Sequence, residues 1–331
     1  MTKSNNHVGL MIPRDLPIEL FVDFIHKAEE NGFDQLWLAE DCFYRGGFAQ
    51  AATVLAKTTS LTVGIGILPA ALRNPVAVAL ETSFLAELYP GRITLGLGHG
   101  MQGWMEQAGV WPESPLQLLR EQLSTVRAIL ASDGPTDFAG RHVKLADVVL
   151  ENRLDSIPMV LAGVRGPKSL ALSGQFADGT ILAEPATEEY IQSAIRDIGA
   201  TTPHHIVAYN VAAVDSDIQT ARERVRWSLK NIARPESRAH IRHLAIHDEI
   251  LELKDRCATE SDFVRALPNE WIDKLAVVGT AEVVAARISR LHDAYANTVV
   301  LVPPSGHPYL DSVDDLGRAR RLVAADGLDH S

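Results

Sequence analysis

The chain has 331 residues, 46% of them hydrophobic and 22% charged, which is enough apolar material for one large or two ordinary globular domains and too much for a disordered chain. A formal net charge of -11 with no lysine or arginine block excludes a phosphate-reading nucleic-acid surface, and the two cysteines, Cys42 and Cys257, exclude a disulfide framework and a cysteine zinc site. The apolar run near the N-terminus is too short for a signal peptide and no stretch approaches about 20 apolar residues, so a soluble cytoplasmic protein with no membrane partner is expected.

Short apolar runs alternate with segments of helical period. HVGLMI (7–12) precedes a helix predicted from about Pro17 to Asn31, with Gly32 as its C-terminal cap. FDQLWLA (33–39) is followed by a helix ending near Lys57, and LTVGIGIL (61–68) by one that starts at Pro75 and closes before YPGR (89–92). ITLGLG (93–98) leads through a short segment to a helix over 115–131. PMVLAG (158–163), GTILAE (179–184), HHIVAYNVAAV (204–214) and TVVLVP (298–303) bring the runs to eight. Eight such runs with intervening helices predict a closed (β/α)8 TIM barrel, with an open doubly wound sheet as the alternative. Residues 132–157 are turn-rich and are expected to form a small hairpin or excursion inserted after strand four. Residues 215–276 are charged and mainly helical and read as an insertion between strands seven and eight. Residues 1–331 are read as a single barrel domain carrying both insertions.

GRITLGLGHGMQGWMEQAG (91–109) contains the G-x-G-x-x-G spacing of a dinucleotide loop at Gly98, Gly100 and Gly103. That fingerprint needs a helix running straight on from the glycines, and here Pro112 and Pro115 interrupt the segment. In a barrel, chemistry belongs at the C-terminal ends of the strands, which selects PRD (13–15), EDCFYRGG (40–47), PAALRNP (69–75), HGMQGWME (99–106) and GVRGPKS (163–169). The glycines of 96–103 then form a loop where a ligand lies close to backbone. GVRGPKS is no phosphate loop of the Walker type, because Pro167 supplies no N–H. It does fit a helix that starts at Pro167 and attracts an anion to its N-terminus, with Arg165 and Lys168 adding charge; ordinary helix capping is the alternative.

Several segments together carry a family likeness: AEENGFDQLWLAED (28–41), TTSLTVGIGILPAALRNPVAVALETSFLAELYPGRITLGLGHG (58–100), IPMVLAGVRGPKSLALSGQFADGTI (157–181), VVGTAEVVAARISRL (277–291) and VVLVPPSG (299–306). In these the chain resembles the bacterial luciferase-like superfamily of flavin- and deazaflavin-dependent oxidoreductases, and GPKSLALSGQFADG most resembles the branch that uses coenzyme F420. The resemblance implies a cofactor across the strand ends, its phosphate held by Gly98, His99 and Gly100 and by Gly163, Val164, Arg165, Gly166 and Pro167. It places the ring near Gly66 and Ile67, with a cis peptide between them. The implied activity is hydride transfer between coenzyme F420 and a small organic substrate. The alternatives are an FMN-dependent monooxygenase using reduced flavin and O2, and a non-catalytic protein that binds either cofactor. A homodimer is expected.

The chain departs from that family's sugar-phosphate dehydrogenases, which carry a histidine after strand two and a glutamate after the strand-four glycines; Asp41 and Met101 stand there instead. Asp41, with Glu40 beside it, and His99 are therefore the candidates for proton transfer, while pairing of Glu40 and Asp41 with Arg14 or Arg45 is the purely structural alternative. His240, His243 and His247 have a helical spacing but no clear fourth ligand, and are expected to be a solvated stripe on one helix, with no metal. Trp37 is expected in the core and Trp104 at a lid. The acidic neighbour Asp41 argues against Cys42 as a nucleophile.

Overall fold

A computed structural model describes residues 6–328. Its strands are β1 (His7–Met11), β2 (Gln35–Leu38), β3 (Thr62–Pro69), β4 (Ile93–Gly98), β5 (Thr136–Ala139), β6 (Lys144–Val148), β7 (Val160–Gly163), β8 (Gly179–Leu182), β9 (His205–Val214), β10 (Val277–Gly279) and β11 (Thr298–Val302). The order β9-β11-β1-β2-β3-β4-β7-β8, with β8 pairing back onto β9, is an eight-stranded parallel barrel closed on itself and surrounded by helices. Each of the eight predicted runs supplies one barrel strand. Their near-continuous burial, complete in β2, β4 and β8, is what strands covered on both faces require.

The chain divides into two compact units, one of Gln35–Ile181 with Ile198–His205, the other of Met1–Asp34, Leu182–Asp197 and Ile206–Ser331. In the first, Pro75 opens the helix Pro75–Leu88, and the Asn74 side chain caps it by accepting from the Val76 N–H at 2.9 Å. β5 and β6 form an antiparallel hairpin within the predicted 132–157 excursion. The hairpin is fastened by Glu121 of the helix Pro115–Ala131. Its fully buried carboxylate accepts from the Arg141, His142 and Val143 N–H groups at 2.9, 2.8 and 2.8 Å and from the Gln117 amide at 2.7 Å.

In the second unit, residues 215–276 are mainly helical and have a core of their own. Phe263, Ile272, Leu229, Ile241 and Ile250 pack there with Val211 of β9 and Val278 of β10. β10 was not foreseen: three residues are too few for a period, and the strand exists because it pairs with the end of β9, Val277 opposite Ala212. The three histidines do not share a helix. His240 lies in Arg238–Ile241, a turn follows, and His247 begins His247–Arg256. Nor are they a solvated stripe, since His240 is fully buried with its ring 4.7 Å from that of Tyr190, and His243 Nε2 lies 2.9 Å from Ser193 Oγ. Burying Ile241, Leu244 and Ile250 in one core requires the chain to turn between them. Among the described residues no helix is long and apolar enough to cross a membrane.

Glu121 makes acid stability readable. Burial by itself raises its pKa, but the Gln117 amide and the three backbone N–H groups outweigh it and hold the carboxyl at about 2, below its ordinary 4.5. The stabilisation is therefore present above the unfolded value and is lost as pH falls from about 4.5 toward 2, and over that range it amounts to about 3 kcal/mol. Urea unfolding of Glu121→Gln should show most of that loss at pH 7, with the difference from wild type shrinking steadily below pH 4.5; a difference that does not depend on pH would assign the stabilisation to packing instead.

Candidate active site

Apart from PRD (13–15), the segments singled out at strand ends fall within the unit of Gln35–Ile181. β3 carries an irregularity between Ile65 and Leu68, where its register with β4 shifts. The Gly66–Ile67 peptide in that stretch is cis, as the sequence comparison implied. The Ile67 side chain is directed at β4 and β7: a Cβ on Gly98 would lie 3.0 Å from Ile67 Cδ1 and 2.7 Å from the Gly163 carbonyl oxygen, and one on Gly163 would overlap Ile67 Cγ2. Gly98 and Gly163 are thus demanded by strand packing, and any contact they make with a ligand is through backbone.

Beyond β4, His99 and Gly100 lead into the short helix Gln102–Gln107. Beyond β7, Val164 is buried, Arg165 is exposed, and Gly166 takes φ +83°, a conformation favouring glycine, to start the helix Pro167–Phe176. No side chain caps this helix, Pro167 has no N–H, and the Leu170 N–H is satisfied by the Gly166 carbonyl at 3.0 Å. No acceptor is found for the N–H groups of Lys168 and Ser169 among the described residues, and the Arg165 and Lys168 side chains nearby in sequence are exposed. A side-chain bond links the two segments, His99 Nε2 to Ser169 Oγ at 3.1 Å. His99 Nδ1 is buried without a hydrogen bond, although the Pro115 carbonyl faces the ring. Burial lowers the imidazole pKa, the Pro115 carbonyl raises it and Arg165 lowers it further, so the net shift is downward, toward the neutral ring.

At the end of β2, Glu40 is buried, and its partners come from the loops around it. Arg73, from the loop after β3, grips it with two bonds, Nε to Oε1 at 3.1 Å and Nη2 to Oε2 at 2.8 Å, and the Gly47 N–H donates to Oε2 at 2.8 Å. The loop holding Arg73 is fixed in turn by buried Gln122, whose amide donates to the carbonyls of Ala70 and Arg73 at 3.0 and 2.8 Å. Arg73 and Gln122 escaped sequence reading because neither lies in a motif; the positioned loop after β3 was the available signal. Asp41 follows Glu40, half-buried, and its carbonyl accepts from the Tyr44 N–H at 3.1 Å. Burial, then Glu40 and Asp41, raise the Cys42 thiol pKa, which agrees with an inert cysteine. Trp37 is core, Trp104 is half-buried, and Met101 is exposed where the glutamate of the sugar-phosphate enzymes would stand. Among the described residues no group of three His, Cys, Asp or Glu side chains is arranged to hold a metal.

A closed parallel barrel of alternating strands and helices defines the class of proteins whose sites are built at the C-terminal ends of the strands. The particular family follows from comparison. The luciferase-like monooxygenase family profile matches residues 2–298, and the chain belongs to that family. It is 23% identical to the 5,10-methylenetetrahydromethanopterin reductase of Methanolobus tindarius, over 89% of this chain and 93% of the relative. It is 27% identical to the F420-dependent glucose-6-phosphate dehydrogenase of Microbacterium testaceum, over 78% and 83%. The solved coenzyme F420-dependent tetrahydromethanopterin reductase of Methanopyrus kandleri superposes with a TM-score of 0.78 at 20% identity, covering 95% of this chain and 98% of that one, a likeness of fold.

The Glu40–Arg73 pair is the testable support of this region. Arg73→Ala leaves a buried carboxylate with one backbone donor and should cost about 2 to 4 kcal/mol in chemical denaturation. Arg73→Lys, which keeps charge but loses the two-bond geometry, should fall between it and wild type.

Proposed function

We propose that the chain is a coenzyme F420-dependent oxidoreductase that moves a hydride between the deazaflavin and a small organic substrate. The observation that carries the proposal is the uncapped N-terminus of Pro167–Phe176, joined through Ser169 to His99 on the β4 loop, in a family whose relatives include enzymes named for F420. An anionic cofactor tail fits there: two backbone donors lack acceptors, Arg165 and Lys168 add positive charge, and Gly166 leaves open space, with nothing within 4 Å of an added Cβ.

The residues that would hold the phosphate are Gly98, His99 and Gly100 with Gly163, Val164, Arg165, Gly166 and Pro167, largely through backbone; Gly66 and Ile67 would lie against the ring. When bound, the deazaflavin supplies two-electron hydride chemistry. The protein's share is then orientation and control of one proton. Asp41, half-buried at the end of β2 and carried on a loop that Glu40 and Arg73 hold in place, would exchange that proton with the substrate. Residues 132–157 and 215–276 are read as insertions into one barrel domain, with substrate choice set by side chains outside the cofactor loops.

A homodimer is part of the same reading. The helix Pro75–Leu88 buries Val78, Leu85 and Ala86 yet leaves Leu80, Phe84 and Leu88 exposed at 54, 63 and 56%, an apolar stripe at i, i+4 and i+8. An exposed apolar stripe on a helix is more stable in water when it is covered, and a second copy of this helix would cover it. Sedimentation of Leu80→Glu/Phe84→Glu should show a folded monomer, where a dimer that persists would move the interface elsewhere.

Titration with each cofactor tests the function directly. The deazaflavin should bind more tightly than FMN and raise the melting temperature, and a tenfold preference for FMN would assign the chain to the flavin monooxygenases. Arg165→Ala should weaken binding about 10- to 100-fold, because a hydrogen bond to a charged group contributes about 1.5 to 3 kcal/mol.

A further inference from the structure

We propose that His99 is a positioning residue: it aims the Ser169 hydroxyl at the anion held by the helix Pro167–Phe176, and its imidazole takes up a proton as the anion binds. The proposal rests on the cofactor reading above. Ser169 is in the first turn of that helix, beside the two backbone donors that lack acceptors, and Nε2 of His99 is 3.1 Å from its Oγ. His99 therefore reaches a bound anion through Ser169.

The bond has a direction. His99 Nδ1 is buried without a hydrogen bond among the described residues, the Pro115 carbonyl faces the ring and can only accept, and the neutral imidazole is therefore best satisfied with its hydrogen on Nδ1. Nε2 is then the acceptor, and the Ser169 hydrogen points at the imidazole. A hydroxyl has a single hydrogen to give. When an anion arrives, that hydrogen is drawn to it, and the lone pair of Nε2 is left against the lone pairs of Oγ beside a half-buried ring, where an unsatisfied contact is costly. One proton from solvent on Nε2 removes the conflict. Nε2–H then donates to Oγ, Oγ–H donates to the anion, and Nδ1–H keeps facing the Pro115 carbonyl.

The charges around the ring favour the same exchange. Without ligand, burial and the neighbouring Arg165 keep the imidazole neutral, the Pro115 carbonyl offsetting them only in part. A bound anion adds the opposite charge that this environment lacks, which favours the protonated ring. Anion binding and protonation of His99 are then linked, each strengthening the other.

Calorimetric titration of the full-length protein with the deazaflavin, at pH 7 in two buffers of different ionisation enthalpy, counts the protons taken up. Nitrogen-15 NMR of the histidines during titration with inorganic phosphate locates them. Wild type should take up a large fraction of one proton and show the Nδ1–H form of His99 turning to the doubly protonated form. His99→Asn and Ser169→Ala should bind about tenfold more weakly with the uptake abolished, whereas Arg165→Ala should bind more weakly with the uptake retained. Circular dichroism confirms that each variant is folded, and Ser169→Ala deletes a single oxygen. Deazaflavin binding by wild type without proton uptake, or uptake unchanged in His99→Asn, overturns the proposal and leaves the cofactor reading standing. Uptake that depends on His99 with FMN, when the deazaflavin does not bind, supports the linkage and overturns the cofactor choice. Binding of neither cofactor overturns both.

Discussion

The side chain of Ile67 packs across the ends of β4 and β7, and that crowding governs this end of the unit of Gln35–Ile181. Because β3 is irregular between Ile65 and Leu68, Ile67 points at neighbours that it would overlap if they carried a Cβ, so Gly98 and Gly163 are compelled. Strands that end in glycine present bare backbone. The polar groups that follow, His99 on one loop and Arg165, Lys168 and Ser169 on the other, consequently start from fixed points, and a single bond between His99 and Ser169 is enough to set their relation.

A second support comes from buried charge. Glu40 and Glu121 are both buried carboxylates, and each is satisfied in a different way: Glu40 by an arginine fork and one N–H, Glu121 by three N–H groups and an amide. Burying an ionised group without such partners would cost several kcal/mol, so each carboxylate specifies its surroundings. Glu40 ties the loop after β2 to the loop after β3. Glu121 and its neighbour Gln122 bring the β5–β6 hairpin and the Arg73 loop to the same helix, Pro115–Ala131. Glu121, which nothing in its own segment of sequence sets apart, is a structural anchor.

The sequence by itself determined the barrel, because burial on both strand faces and a helix between strands leave a periodic record over many residues. Each of the eight apolar runs became a barrel strand, and the glycine loops after strands four and five could be placed at strand ends from the topology alone. Family likeness located the cis Gly66–Ile67 peptide for the same reason, since it depends on a contiguous segment. The partners were decided only in three dimensions. Arg73 lies 33 residues from Glu40, Ser169 lies 70 from His99, and the hairpin donors lie 20 to 22 from Glu121. Such pairs leave no spacing to read, because a hydrogen bond needs two groups within about 3 Å and is indifferent to the length of chain between them. The same holds for β10, which exists by pairing with β9, and for the histidines of residues 215–276, whose spacing fits one helix although the chain turns between Ile241 and His247.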